Sequence, residues 1–302
     1  MLVDINIKEK YDSNKVEEKI LAIEKKEGIV LDDLQRQAVI ESISSGLIII
    51  TGGPGTGKTT TINTIIKYFE SEGEGISLAA PTGRAAKRMS EATSYEAKTI
   101  HRLLEITPNS NENSTSIGTH FERNEDNPLE ADVLIIDEVS MVDIFLMNAL
   151  LKAVAIGTRL ILVGDINQLP SVGPGTVLKD LIESNCFNVV RLNKIYRQSV
   201  RSDIVVNAHK IMTNEDIDLS KKSNDFIFIK QNNPEHVMDS IITLMRDKLP
   251  GYVNSTINEL QVMTPMRKGP LGVEVLNSFL QNKLNPTSKQ KNEKEYDATI
   301  FR

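Results

Sequence analysis

A chain of 302 residues, a quarter of them charged, is long enough for two domains with separate cores. A net charge of −6 excludes a globally basic nucleic-acid binder, so any basic surface must be local. Cys186 stands alone, which excludes an internal disulfide and leaves it expected as a small buried apolar residue; with no signal-peptide core and no membrane-length apolar run, a soluble, cytoplasmic protein without a membrane partner is expected.

Residues 14–27 place Val16, Ile20 and Ile23 on one face, the pattern of an amphipathic helix. A second helix is expected over 31–44, opened by an Asp pair and turning Leu34, Ala38 and Ile43 inward. Gln35, near its start, suits a capping or solvated role; its amide, both donor and acceptor, also suits the edge of an adenine.

The stretch LIIITGGPGTGKTT (47–60) is an apolar strand running into the pattern G-x-x-x-x-G-K-S/T. Gly53, Gly55, Thr56 and Gly57 can turn their backbone amides around a polyphosphate in a loop that Pro54 helps to bend, and Lys58 can reach its β and γ phosphates. Thr59 offers a hydroxyl to Mg²⁺, and with Thr60 it begins a helix whose positive end faces the same anion. A nucleoside triphosphate such as ATP, with Mg²⁺, is the expected ligand.

Further apolar runs at 76–80, 133–136, 159–163 and 188–192 alternate with helix-like segments, which predicts an α/β fold with a buried parallel sheet. The runs from 47, 76, 133 and 159 end abruptly in polar loops. Such loops face one another at the carboxyl edge of a parallel sheet, where ligands bind.

The loop PTGRAAKR (81–88) holds Thr82, placed to cap a helix, and Arg84; both sit where a phosphodiester could be bound. Lys or Arg at 84, 87, 88, 98 and 102 outnumber Glu91 and Glu96, making this the local basic surface; Lys87 and Arg88 fit a solvated face equally well. His101, in TIHRLL, is open to a structural or a functional reading. Residues 107–128 are polar, bounded by prolines, and read as a surface excursion with room for a short hairpin around IGTHFER, or as a disordered insertion.

The strand VLII delivers Asp137 and Glu138, the form of a metal-plus-base pair: Asp137 for the Mg²⁺ shell, Glu138 to orient or deprotonate an attacking water. In GDINQLPSVGPG, Gln168 could sense the γ-phosphate or its water, and Pro170 with Gly173 to Gly175 makes a constrained turn able to lie against an extended strand. Arg197, in LNKIYRQ, could spread transition-state charge as an arginine finger or serve as a surface ion-pair residue.

In this order GGPGTGKTT, APTGRAAKRMSE, TIHRLL, LIIDEVSMVD, LVGDINQLPSVGPGTVLKDLI, LNKIYRQ and VMTPMRKGPLGVEVLN resemble the RecD-like 5′→3′ DNA helicases of superfamily 1B, over about Leu31 to Pro286. The resemblance implies a motor built on P-loop, RecA-like domains, hydrolysing ATP with Lys58, Glu138, Gln168 and Arg197, and working on single-stranded DNA and single-strand/duplex junctions in DNA repair or recombination. It makes Gln35 an adenine contact, the excursion at about 106–128 a pin that splits the duplex, and Thr82, Arg84, His101, Pro170, Val172, Thr264, Pro265 and Arg267 contacts to DNA. The implied layout is a helical leader over 1–30, a first RecA-like domain over 31–198 and a partial second one over 199–302, with strands at FIFIK (226–230) and LQVMT (260–264), helices over 235–248 and 271–283, and the family's last motifs beyond the chain. A monomer is expected. Two other readings remain: a nucleotide- and DNA-binding fragment without full turnover, and an RNA-directed superfamily 1 helicase.

Overall fold

The computed structural model describes residues 2–7, 11–107, 120–194, 202–220, 223–288, 292–296 and 299–301. Contacts divide the chain into two compact units, Met1–Phe226 and Ile227–Arg302. Among the described residues no helix is long and apolar enough to cross a membrane.

The first unit is built on β1 (Leu47–Gly52), β2 (Ile76–Ala80), β3 (Ala97–Thr99), β4 (Val133–Ile136), β5 (Arg159–Gly164) and β6 (Asn188–Leu192). They form one sheet in the order β3-β2-β4-β5-β1-β6, with every pair parallel. The five expected strands are all present; the sixth, β3, is a short edge strand that its sequence AKT does not announce.

Side chains alternate across a strand, and here both faces are buried. Ile48 and Ile50 join Ile135, Ile161 and Val163 under helices α1 (Ser13–Glu27), α2 (Asp33–Ser44), α3 (Lys58–Glu72) and α4 (Gly83–Thr93). Leu47 and Ile49 join Leu134, Ile136, Leu160 and Leu162 under α5 (Ile144–Ala153) and α6 (Val177–Glu183). Phe69 of α3 is 1% exposed, edge-on to Tyr68 at 5.6 Å between ring centroids and under the Arg159 guanidinium at 5.5 Å. Phe69→Ala is therefore expected to cost about 3–5 kcal/mol, read as a fall of roughly 6–20 °C in the melting midpoint.

Local chemistry ends each helix where the site needs it. Asp32 and Gln35 close a reciprocal capping box at the start of α2. The Thr82 hydroxyl accepts from the Ala85 amide at 3.2 Å and starts α4. α3 has no side-chain cap: Gly57 precedes it at φ 82°, a left-handed conformation that suits glycine, and no side chain takes up its first amides.

Cys186 is exposed, contrary to expectation. It sits in the tight turn between α6 and β6, next to Asn185 at φ 52°, with its thiol 3.3 Å from the Ser184 carbonyl oxygen. Of the excursion, Ile106–Thr107 pairs antiparallel with His120–Phe121, and residues 108–119 lie outside the described residues. Helix α7 (Asp203–Met212) completes the first unit and lays His209 against Gly53.

In the second unit α8 (Pro234–Thr243), extended by a π-helical turn Leu244–Lys248, and α9 (Val273–Leu284) fall where helices are expected. The strands expected at 226–230 and 260–264 are not formed. A strand needs a hydrogen-bonded neighbour, and among the described residues neither run has one: Ile227, Phe228, Ile229 and Met263 are about half or more exposed.

Candidate functional site

Strand order decides what meets at the carboxyl edge. β2, β4, β5 and β1 are consecutive neighbours, so the loops that follow them lie side by side. Three of these loops and one face of α4 line one cavity of about 740 Å³.

The cavity floor is the loop Gly53 to Gly57 and the first residues of α3. Lys58 Nζ donates to the carbonyls of Gly52 at 2.6 Å and Gly53 at 2.9 Å, which lays the ammonium along the loop. Thr56 Oγ1 donates to the Gly53 carbonyl at 2.8 Å and stiffens the turn. A Cβ on Gly52 would come within 2.6 Å of the Leu192 carbonyl oxygen, a backbone atom of β6 that cannot swing aside. Gly52→Ala is expected to cost about 1–3 kcal/mol of overpacking and to weaken nucleotide binding, checked by melting and by titration with a fluorescent nucleotide.

Asp137 and Glu138 supply the acidic wall. Asp137 Oδ1 accepts the Glu138 amide at 2.8 Å, and Glu138 holds φ 55°, a left-handed geometry that costs a non-glycine residue roughly 1–3 kcal/mol and clusters at functional sites. Burial pushes the Asp137 carboxyl up from its ordinary value, against the amide of Glu138 and the charges of Lys58 and Arg88. Burial also raises Glu138, and the adjacent Asp137 adds to it. Lys58 is pulled down by burial, opposed by Asp165, Asp137 and Glu138. The site thus concentrates charges that water no longer stabilises.

The AAA domain family matches residues 35–174, which span the phosphate loop, the acidic pair and the loop after β5. The ATP-dependent RecD2 DNA helicase of Deinococcus radiodurans is 37% identical over 266 residues, 88% of this chain and 34% of that protein. The RecBCD enzyme subunit RecD of Mycobacterium tuberculosis is 40% identical over 174 residues, 50% of this chain and 29% of that protein. Over most of its length the chain is similar to RecD2. It spans about a third of the length of these relatives. A solved Pif1 helicase from Candida albicans aligns over 72% of this chain and 48% of its own, at 21% identity and a TM-score of 0.45.

The cavity is lined by Gln35, Gly53, Pro54, Gly55, Thr56, Gly57, Lys58, Thr59, Thr60, Asp137, Glu138 and Gln168, residues singled out from widely separated parts of the sequence. Gln35 is fully buried: Oε1 accepts the Asp32 amide at 3.1 Å and Nε2 donates to the Gly57 carbonyl at 3.2 Å. Its amide therefore ties the start of α2 to the end of the phosphate loop. Arg197 lies outside the described residues.

None of the residues assigned to DNA is among those lining the cavity. Arg84 and His101 are exposed, and the His101 ring lies 6.0 Å from that of Phe121. Pro170 and Val172 sit on a projecting tip, held by Ser171 Oγ donating to the Gly173 and Gly175 carbonyls at 2.9 and 3.2 Å and by the Ile144 amide donating to the Pro174 carbonyl at 3.0 Å. In the second unit Thr264 Oγ1 donates to the Leu271 carbonyl at 2.7 Å, Pro265 is exposed, and Arg267 Nε donates to Glu274 at 3.2 Å.

Several residues at the site were not singled out by their sequence context. Ile29 and Val30 bring an apolar wall from the linker before α2, Arg88 projects from α4, and Asp165, 2% exposed, acts on Lys58 from the end of β5. Only Asp165 carried a signal: it follows an apolar strand, as Asp137 does.

Proposed function

We propose that this chain binds and hydrolyses MgATP and couples that hydrolysis to 5′→3′ movement on single-stranded DNA, in DNA repair or recombination. The observation that carries the proposal is the single cavity joining Lys58 and Thr59 to Asp137, Glu138 and Gln168. The apolar surface of Ile29 and Val30 suits a base, and the loop amides with the uncapped start of α3 suit the phosphates.

The donor set fits Mg²⁺: a hydroxyl on Thr59 and a carboxylate on Asp137 are hard oxygen ligands, of the kind that hold the ion together with phosphate oxygens. When bound, Mg²⁺ neutralises charge developing on the β and γ phosphates. Lys58 adds a second positive charge on the loop side. Glu138 orients and deprotonates the attacking water, and Gln168 holds that water or the γ-phosphate.

DNA is proposed to run over Thr82, Arg84, His101, Pro170 and Val172, with Thr264, Pro265 and Arg267 as further contacts. The likeness to RecD2, over 88% of this chain, supports this choice. Arg84→Ala is expected to weaken single-stranded DNA binding about equally for all sequences and to lower the log–log salt slope by about 1, measured by anisotropy titration across salt concentrations.

Steady-state ATP turnover without nucleic acid, with single-stranded DNA and with matched RNA tests the function. Turnover stimulated by DNA is expected; stimulation by RNA alone, or nucleotide binding without turnover, would overturn it. Unwinding of duplexes carrying a 5′ tail but not a 3′ tail tests the direction.

A further inference from the structure

Helix α4 meets the cavity along one stripe. Ala85, Arg88, Met89, Ala92 and Thr93 line it, spaced as one face of a helix, and all but Arg88 are small or uncharged. The helix cannot rotate about its axis, because Thr82 caps its start and Ala86, Met89 and Thr93 are buried. Lys87, one position earlier, falls on the solvent side and reaches Glu91 at 3.8 Å. Arg88 has no ion pair or hydrogen bond among the described residues, and with Lys58 it is one of the two cations lining the cavity.

α4 follows β2, and β2 lies beside β4, the strand that delivers Asp137 and Glu138. The Asp137 amide donates to the Ala79 carbonyl at 2.9 Å across that pairing. Arg88 therefore enters at the acidic end of the cavity, where the terminal phosphate of the proposed nucleotide would lie. We propose that Arg88 binds that terminal phosphate and, with Lys58, distinguishes a nucleoside triphosphate from its diphosphate. Arg88, Lys58, Asp137 and Glu138 line the same cavity. A guanidinium offers two parallel donors to phosphate oxygens, and its charge offsets that of the two carboxylates.

The inference rests on the nucleotide reading above and is tested by fluorescent ADP and a non-hydrolysable fluorescent ATP analogue, titrated against the full chain in Mg²⁺ buffer. Arg88→Ala is expected to weaken the ATP analogue roughly 10- to 100-fold and ADP by no more than a few-fold. Arg88→Lys should recover part of the loss, since it restores the charge without the fork, and Lys87→Ala should bind both nucleotides as the unaltered chain does. A merely structural role for Arg88 would weaken both nucleotides alike. Equal loss for both, no loss for either, or a loss of single-stranded DNA affinity with nucleotide affinities intact would each overturn the proposal. If the unaltered chain binds neither nucleotide, the nucleotide reading falls and this inference with it; if it binds both and Arg88→Ala is indifferent, this inference falls alone.

Discussion

Lys58→Ala is expected to abolish measurable ATP hydrolysis, a loss of at least about 10²–10³-fold, and to weaken binding of the triphosphate. The ammonium lies against the Gly52 and Gly53 carbonyls at 2.6 and 2.9 Å, so the loop holds the charge beside the amides expected to bind phosphate. Asp165, Asp137 and Glu138 all act on that charge. Removing it leaves the carboxylates with Arg88 as the one remaining cation of the lining, and a polyphosphate brought against them meets repulsion. Lys58→Arg should not rescue turnover, because the planar fork cannot take the compact seat between two carbonyls. Steady-state turnover and nucleotide titration decide the point, with a retained cooperative melt showing that the variant is folded. Turnover near that of the unaltered chain would remove Lys58 from the mechanism.

The centre of this site was legible in the sequence because its chemistry is local. The run Leu47 to Ile50 is apolar without interruption, which is what a strand buried on both faces requires, and the glycines that follow allow the turn the loop takes. Asp137 and Glu138 were legible for a similar reason: an apolar strand ends directly on them. Arg88 was not legible. Arg84, Lys87 and Arg88 differ in sequence only by position, and each step along a helix turns the side chain by about 100°. Which of them faces the cavity is settled by how Ala86, Met89 and Thr93 dock, a tertiary fact.

The expected strands at 226–230 and 260–264 failed for a related reason. Their apolar runs look like that of β4, but β4 is flanked by β2 and β5 while these runs have no hydrogen-bonded neighbour strand among the described residues. Cys186 shows the same limit on a single residue. Its apolar character favours burial, but the turn that joins α6 to β6 holds it in solvent. Ile29 and Val30 gave the opposite surprise, since two aliphatic residues in a linker do not advertise a ligand wall until α2 and α4 bring them to the cavity.

Glu138→Gln is expected to leave nucleotide affinity within a few-fold while turnover falls about 10²–10⁴-fold. The substitution keeps side-chain size and leaves the backbone device intact: the left-handed turn is held by the Glu138 amide donating to Asp137 Oδ1, which a glutamine also provides. What is lost is the group that can take a proton. Burial and the neighbouring Asp137 both raise the Glu138 carboxyl, so a proton taken from water is held more readily there than by an exposed glutamate. The same substitution removes a negative charge beside Asp137, which favours retention of an anionic nucleotide. Binding by titration and turnover under saturating nucleotide separate the two effects. A variant that hydrolyses ATP normally would move the base elsewhere. A variant that loses binding as well would mean that Glu138 holds the ligand, and the division of labour between Asp137 and Glu138 would have to be redrawn.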